Sequence, residues 1–343
     1  MGKILITGGA GFIGSNAACY FSEKGWQVVV LDNLSRKGAN INCEFIQGLP
    51  NVIFKKGDIR DVNLVNQLIK QEGFNAILHL AGQVAVTTSL VDPEEDFEIN
   101  ARGTFNILEA IRKHSPNTVL IYSSTNKVYG KMENTSVIER NGRYEYENLQ
   151  NGISEEYPLS FYSPYGCSKG AGDQYVIDYA RIYGLRTISF RQSCIYGPRQ
   201  FGVEDQGWIA WFTIASMLGK SITVYGDGKQ IRDVLHVSDL VRAYDLAIQY
   251  SDKASGHAFN IGGGKSNTLS LNELVKKIEK ESGEKIEYIQ SDWRPGDQKV
   301  FVCDTSKINK FLGWNAVVGV NDGLGELYSW TTEHLDEIRK ALR

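Results

Sequence analysis

The sequence predicts an α/β fold: a Rossmann-type doubly wound parallel sheet with a smaller, interleaved C-terminal domain. Three observations predict it. Short apolar runs alternate with longer segments of helical period through the first half of the 343 residues, as a parallel sheet with crossover helices requires. A glycine cluster, Gly8 to Gly14, sits between the first apolar run and the first helical segment. After about Arg191 the alternation weakens and the chain becomes richer in aromatic residues and isolated strand-like pieces.

Taken in order, the strands are expected at Lys3 to Thr7, Gln27 to Asp32, Val52 to Lys56, Ala76 to Leu80, Thr118 to Ser123 and Arg186 to Arg191. Helices are expected between them at Ile13 to Lys24, Val62 to Gln71, Asp96 to Lys113 and Gly166 to Tyr183. Right-handed crossovers make this a doubly wound sheet with its ligand crevice beyond the carboxyl ends of the strands. Lys131 to Tyr162 lacks clean periodicity and reads as a long loop or a small hairpin excursion. Ile222 to Tyr225 and Lys285 to Ile289 read as strands of the smaller domain. Val234 to His236 and Ala258 to Ile261 look like buried strands that return to the sheet, so the two domains interleave. The dinucleotide-binding domain is then 1–191 with about 230–262, and the substrate domain 192–229 with 263–343.

A formal charge of -3 and a pI near 6.0 give no broad cationic field, which argues against nucleic acid as a partner. The five cysteines are scattered, without metal-clamp or redox-pair spacing, and read as reduced thiols of a cytoplasmic protein. The five histidines have no ligand spacing, so no metal is expected. Ile4-Leu5-Ile6 is too short for a signal peptide, and no stretch reaches membrane-spanning length.

In the cluster Gly8-Gly-Ala-Gly11-Phe-Ile-Gly14, Gly8 permits the tight turn and Gly11 lets a pyrophosphate approach the backbone. Gly14 lets the helix close on the strand. The helix N-terminus offers free amides and partial positive charge to the phosphates. Asp32 ends the second strand, where a carboxylate accepts from the adenosine ribose hydroxyls and repels a 2′-phosphate, so NAD is favoured. Arg36 and Lys37 follow closely and could hold that phosphate, which keeps NADP open. Asp58 and Ile59 read as an adenine-edge contact or, for Asp58, an exposed loop carboxylate.

Tyr165 and Lys169, four apart on the last of these helices, share one face. A free phenol has a pKa of about 10 and is a poor base at neutral pH; an adjacent ammonium and a positive nicotinamide ring would lower it. Ser123, Ser124 and Thr125 end another strand near the same crevice. Thr125 is the candidate partner for the reacting oxygen, although such hydroxyls often satisfy only backbone groups.

These motifs, with Leu80-Ala-Gly-Gln83, Val128-Tyr-Gly130, Arg232-Asp-Val-Leu-His236, Asn260-Ile-Gly-Gly263 and Arg294-Pro-Gly-Asp297, resemble the extended short-chain dehydrogenase/reductases over essentially the whole chain. Gly82 to Ser89, Thr125 to Gly130 and Gln200 to Trp208 resemble more narrowly the CDP-paratose 2-epimerases, also called CDP-tyvelose epimerases. The resemblance implies a nucleoside-diphosphate sugar as substrate and Thr125, Tyr165 and Lys169 as the catalytic trio. It adds Phe12, Ile13, Asn33, Leu80, Ala81, Gly82, Gln83 and Asn100 to the NAD contacts, and Gln83, Asn126 and Gln192 to the substrate contacts. Gln192 is a departure, since the subfamily is expected to carry His there. The resemblance also implies a homo-oligomer, most simply a dimer paired through Asp96 to Lys113 and Gly166 to Tyr183.

Related 4,6-dehydratases place an Asp-Glu pair after the strand-end Thr; here those positions are Asn126 and Lys127, which supply neither the acid nor the base of an elimination. Epimerisation through a transient ketone remains. Arg232 and Arg294 are candidates for a diphosphate clamp or for domain-bridging ion pairs, with Arg199 second and Tyr225 at the nucleobase. Trp208 and Trp211 read as helix core. A UDP-hexose 4-epimerase would use the same trio, and a non-catalytic NAD(H) sensor would not need Tyr165 with Lys169.

Overall fold

A computed structural model describes residues 2–294 and 297–342; Pro295 and Gly296 of the Arg294 to Asp297 motif lie outside the described residues. The strands begin with β1 (Lys3–Thr7), β2 (Gln27–Asp32), β3 (Val52–Lys56), β4 (Ala76–His79) and β5 (Val119–Thr125). A hairpin follows, β6 (Val137–Arg140) and β7 (Arg143–Tyr146), within the segment read as a loop or hairpin excursion. Next come β8 (Thr187–Gln192), β9 (Cys194–Tyr196), β10 (Ile222–Tyr225), β11 (Ile231–His236) and β12 (Ala258–Ile261). The last are β13 (Thr268–Ser270), β14 (Tyr288–Ser291) and β15 (Val300–Phe301).

Seven strands form one sheet in the order β12-β8-β5-β4-β1-β2-β3, every neighbouring pair parallel. The chain steps outward from β1 to β3 and then crosses to the other side of β1 with β4. The topological switch therefore lies between β1 and β4, where an open α/β sheet forms its ligand crevice. Alternate residues feed two cores: Ile4, Ile6, Val28 and Val30 pack on one face, Leu5, Val29 and Leu31 on the other. A third core surrounds the helix Trp208–Met217 and includes Val224 and Leu274.

β12 joins the large sheet as expected. β11 does not: it lies in a mixed sheet, antiparallel to β13 and parallel to β15 and β9. Its run Val234-Leu235-His236 is buried in either arrangement, so burial pattern alone could not select its partners. β10 pairs in parallel with β14.

The helix expected over Asp96 to Lys113 is interrupted. A short helix, Pro93–Phe97, passes through a π-helical turn, Glu98–Arg102, into the helix Gly103–His114. Helices at Ala39–Gln47 and Val86–Val91 add to those expected. The helix Ser163–Tyr183 carries Pro164 in its first turn and stops at Gly184, whose φ is 66°. It begins three residues ahead of expectation, which puts Tyr165 in its first turn.

Candidate active site

A cavity of about 800 Å³ opens over the carboxyl ends of β1, β2, β5 and β8 and extends to β10 and β11. At one end lies the glycine turn. Gly8 has φ 68°, and a Cβ on Gly14 would run into the Gly8 carbonyl and the Gly9 backbone. These two positions therefore require glycine for the turn and for helix closure. Gly11 differs: a Cβ there would meet only the Gly8 carbonyl oxygen, at 3.1 Å, within 4 Å. Gly11 and the following Phe12 and Ile13 line the cavity, and no side chain caps the helix Phe12–Glu23 that starts here. That combination is a cradle for a phosphate group.

The Asp32 carboxylate accepts from Ala10 N at 3.0 Å and Leu34 N at 2.8 Å. It lines the same cavity, and burial raises its pKa against those two bonds. Asn33 donates to Asp58 at 2.9 Å. Asp58 is also paired with Arg60 at 2.8 Å, which holds its pKa down at about 2; Arg60 was not anticipated. Ile59, Leu80, Ala81 and Gly82 complete this wall. Arg36 and Lys37 line it as well. The fit is to a dinucleotide: an open glycine cradle for the pyrophosphate, then a fixed carboxylate for a ribose.

Tyr165 (7% exposed), Thr125 and Lys169 come together deeper in the cavity wall. Thr125 ends β5 and accepts from Lys127 N at 3.2 Å. The Lys169 ammonium donates to the Ser123 carbonyl and lies 4.3 Å from the Tyr122 ring centroid. Burial pulls the Lys169 pKa to about 7, opposed by Asp173 and Asp96. Burial likewise pushes Tyr165 up to about 12, while the facing Thr125 hydroxyl lowers it, Asp96 raises it and Arg36 lowers it. Lys169 is not among the largest influences on the phenol. Among the protein's own groups desolvation dominates, and Lys169 is directed at Ser123 and Tyr122.

Gln83 and Asn100 turn into the protein behind the cavity. The Gln83 side chain is bonded to Ala85 O and Asp96, both at 2.8 Å, and neither residue lines the cavity. The π-turn aims Asn100 back at Gln83 O (3.0 Å), Asp96 (3.1 Å) and Ser168 (3.2 Å). Ser168, between Tyr165 and Lys169 in sequence, donates to Asp96 as well. This buried network holds the first turns of the Tyr165 helix from behind. Sequence reasoning missed Asp96 and Ser168; a lone carboxylate at a helix start reads as a partner for the helix dipole.

On the far side, Gln192 donates to the Tyr244 hydroxyl at 2.8 Å and lines the cavity beside Asn126. Arg232 and Arg294 line it too, and both are ion-paired, Arg232 with Asp297 at 2.5 Å and Arg294 with Asp205 at 3.1 Å. Arg294 also stacks on Tyr225, 3.9 Å from the ring centroid, and Tyr225 donates to Glu204 at 3.1 Å. Arg199 lines the cavity as well, with its guanidinium over Phe45, 3.1 Å from the ring centroid, in the helix after Asp32. Trp208 belongs to the cavity wall as well as to the third core, whereas Trp211 only packs against that core.

Fold and site together define a dinucleotide-binding enzyme with a Tyr-Lys pair. The chain belongs to the family whose model is described as GDP-mannose 4,6 dehydratase, matched over residues 5–327. It is 47% identical to CDP-paratose 2-epimerase of Salmonella typhi over 335 residues, covering 96% of this chain and 99% of the relative. That bears out the resemblance seen in the motifs. Among solved structures, UDP-glucose 4-epimerase of Thermotoga maritima with UDP-glucose is 30% identical with a TM-score of 0.83, covering 97% of this chain and 99% of that one. UDP-glucuronic acid 4-epimerase of Bacillus cereus, in complex with UDP-glucuronic acid and NAD, is 27% identical with a TM-score of 0.82, covering 96% and 99%.

Proposed function

We propose that this chain is an NAD-dependent epimerase of a nucleoside-diphosphate sugar, and specifically a CDP-paratose/CDP-tyvelose 2-epimerase. One observation carries the reading of the reaction. The trio Thr125, Tyr165 and Lys169 faces a cavity in which the two residues after Thr125 are an amide and an ammonium. The site can move one proton at a hydroxyl but has no acid-base pair there for eliminating water. The specificity for a CDP-sugar and for carbon 2 rests on the 47% identity to the Salmonella typhi enzyme.

NAD, when bound, would supply a reversible hydride acceptor for the sugar. Gly8, Gly11, Phe12, Ile13 and Gly14 would hold its pyrophosphate, Asp32 a ribose, and Lys169 the other ribose. Tyr165 takes the proton of the carbon 2 hydroxyl, with Thr125 hydrogen-bonded to the same oxygen, and returns it to the 2-keto sugar after that sugar has turned over. Redox balance is zero across the cycle. Binding energy must then reside in the nucleotide, leaving the sugar free to turn.

The test is a CDP-hexose deuterated at carbon 2. Retention of deuterium at an inverted carbon 2 supports internal hydride return. Inversion at carbon 4, the alternative suggested by the UDP-sugar epimerases above, or loss of label to water, overturns the assignment.

A cytoplasmic location is part of the proposal; among the described residues no helix is long and apolar enough to cross a membrane. A dimer is part of it too. Helix Ser163–Tyr183 presents Tyr175, Ile182 and Tyr183, each about half exposed, beside the helices at Pro93–Phe97 and Gly103–His114. Tyr175→Glu is expected to convert the dimer to monomer in light scattering; an unchanged mass puts the interface elsewhere.

A further inference from the structure

Three neutral donors converge on the Asp96 carboxylate, which is fully buried in the network behind Tyr165. Gln83 Nε2 reaches one oxygen at 2.8 Å and Asn100 Nδ2 reaches the same oxygen at 3.1 Å; the Ser168 hydroxyl donates to the other oxygen at 2.5 Å. The amide oxygens of Gln83 and Asn100 are themselves taken by the backbone N–H groups of Ala85 and Gln83. Both amides therefore present N–H groups to Asp96, which matches an ionised carboxylate. Among the described residues none of its hydrogen-bond partners is a cation.

The network reaches the Lys169 ammonium. Ser168 immediately precedes Lys169 in the helix Ser163–Tyr183. A Cβ on Gly82 would stand 3.0 Å from Asn100 Oδ1 and 3.8 Å from Lys169 Nζ, so the network and the ammonium meet at one glycine of the cavity wall. Besides Tyr165, the other ionisable groups facing Lys169 are His79 on β4, Tyr122 on β5 and Asp173 one turn along its own helix. His79 is neutral: burial holds its pKa at about 3, and its ring is bonded to Thr7 at 2.8 Å and Thr104 at 3.1 Å. Burial keeps the Tyr122 phenol neutral as well. Asp173 shares its charge with Arg191 in an ion pair at 2.8 Å. The Asp96 charge is the unshared one. It also acts on Tyr165, opposite in sign to Arg36.

We infer that Asp96 is a positioning residue of the reaction: its carboxylate fixes the Tyr165–Lys169 turn through Ser168 and supplies the negative charge that keeps Lys169 protonated in the buried wall. The inference rests on the reading of Tyr165 and Lys169 as the reacting pair. Burial favours the neutral amine, and a neutral amine loses the charge that assists the phenol. A carboxylate held by neutral donors can serve an ammonium it does not touch, because no nearer cation cancels it.

Asp96→Asn tests the charge with the bonds retained. The new amide oxygen can take the Gln83 and Asn100 donors, and its nitrogen can donate to Ser168 Oγ, whose proton has the Tyr165 carbonyl at 3.2 Å as another acceptor. Turnover of the CDP-hexose is followed against pH in the NAD-loaded wild type, in Asp96→Asn and in Ser168→Ala, which loses a bond and keeps the charge. Loss of the carboxylate favours the neutral amine and the phenolate alike. Both limbs of the bell-shaped profile are therefore expected to move to lower pH, by about one unit for a charge close by in a poorly hydrated wall. Ser168→Ala is expected to lower kcat with the limbs unmoved. Asp96→Ser, smaller than the native residue, is read in place of the amide variant if that one does not fold.

Competitive acetylation of Lys169 with acetic anhydride, followed across the pH range by peptide mass spectrometry, reads the same shift without substrate. A lower kcat at every pH, with both limbs and the labelling midpoint unmoved, makes Asp96 purely structural and overturns the inference; so does an unchanged enzyme. A wild type that turns over no nucleotide sugar overturns the reading of the reaction alone, and a lower Lys169 labelling midpoint in Asp96→Asn then still supports the charge role of Asp96.

Discussion

Tyr165→Phe is expected to lower kcat by about 10²- to 10⁴-fold, the usual contribution of a positioned acid-base group, while the purified variant retains its NAD. The two halves of that result have separate physical causes. The phenylalanine ring fills the same space, and what holds the cofactor end is elsewhere: the open face of Gly11, the Asp32 carboxylate fixed by two backbone amides, and Lys169 bonded to the Ser123 carbonyl. Only the oxygen that exchanges the proton is lost. In the protein's own field burial raises that phenol to about 12, so its ionisation is disfavoured until positive charge arrives beside it. Cofactor content is read after denaturation by an enzymatic NAD assay, and turnover by product configuration. A variant that keeps its rate removes Tyr165 from the reaction, and one purified without NAD makes it a binding residue.

How far the sequence reveals this site depends on whether the deciding contacts are local. The glycine turn is legible because Gly8, Gly11 and Gly14 act within one turn of strand and helix. Tyr165 and Lys169 are legible because four residues on a helix bring two side chains to one face. The helix Ala39–Gln47 buries Ala39, Asn42, Cys43 and Ile46, a spacing that fits a helix, but a polar residue in that stripe hides the pattern. Asn42 is explained only by a distant partner, the Arg199 carbonyl at 3.2 Å. The same is true of Asp96, whose partners Gln83, Asn100 and Ser168 come from three segments. β11 lies outside the large sheet that its apolar run suggests, because such a run specifies that a strand is buried and not beside which neighbour. The ion pairs of Arg232 and Arg294 were one of two readings.

Arg191→Met is expected to cost about 3–5 kcal/mol of folding stability, because it strands a carboxylate that the fold has removed from water. Arg191, at the end of β8, reaches Asp173 through Nη2 at 2.8 Å and Nε at 3.2 Å; the two side chains are 4% and 0% exposed. Ser189 shares the carboxylate, and Arg191 also donates to the Tyr129 hydroxyl at 3.2 Å. In the native protein Arg191 and the hydrogen bonds outweigh burial and hold the Asp173 pKa below its ordinary value. That stabilisation is present above the unfolded carboxylate range and fades as pH falls through the depressed folded value. Without Arg191 the burial effect dominates, the folded pKa rises above the unfolded one, and Asp173 penalises folding increasingly as pH rises through it. The deficit between variant and wild type should therefore be larger at pH 8 than at pH 5 in urea unfolding; a pH-independent deficit would assign the loss to packing of the arginine stem. The pair also bears on the reaction centre. Asp173 stands one helical turn after Lys169 and supports its charge against burial, so Arg191→Met should disturb turnover through Lys169 while leaving the Asp32 end of the cavity intact.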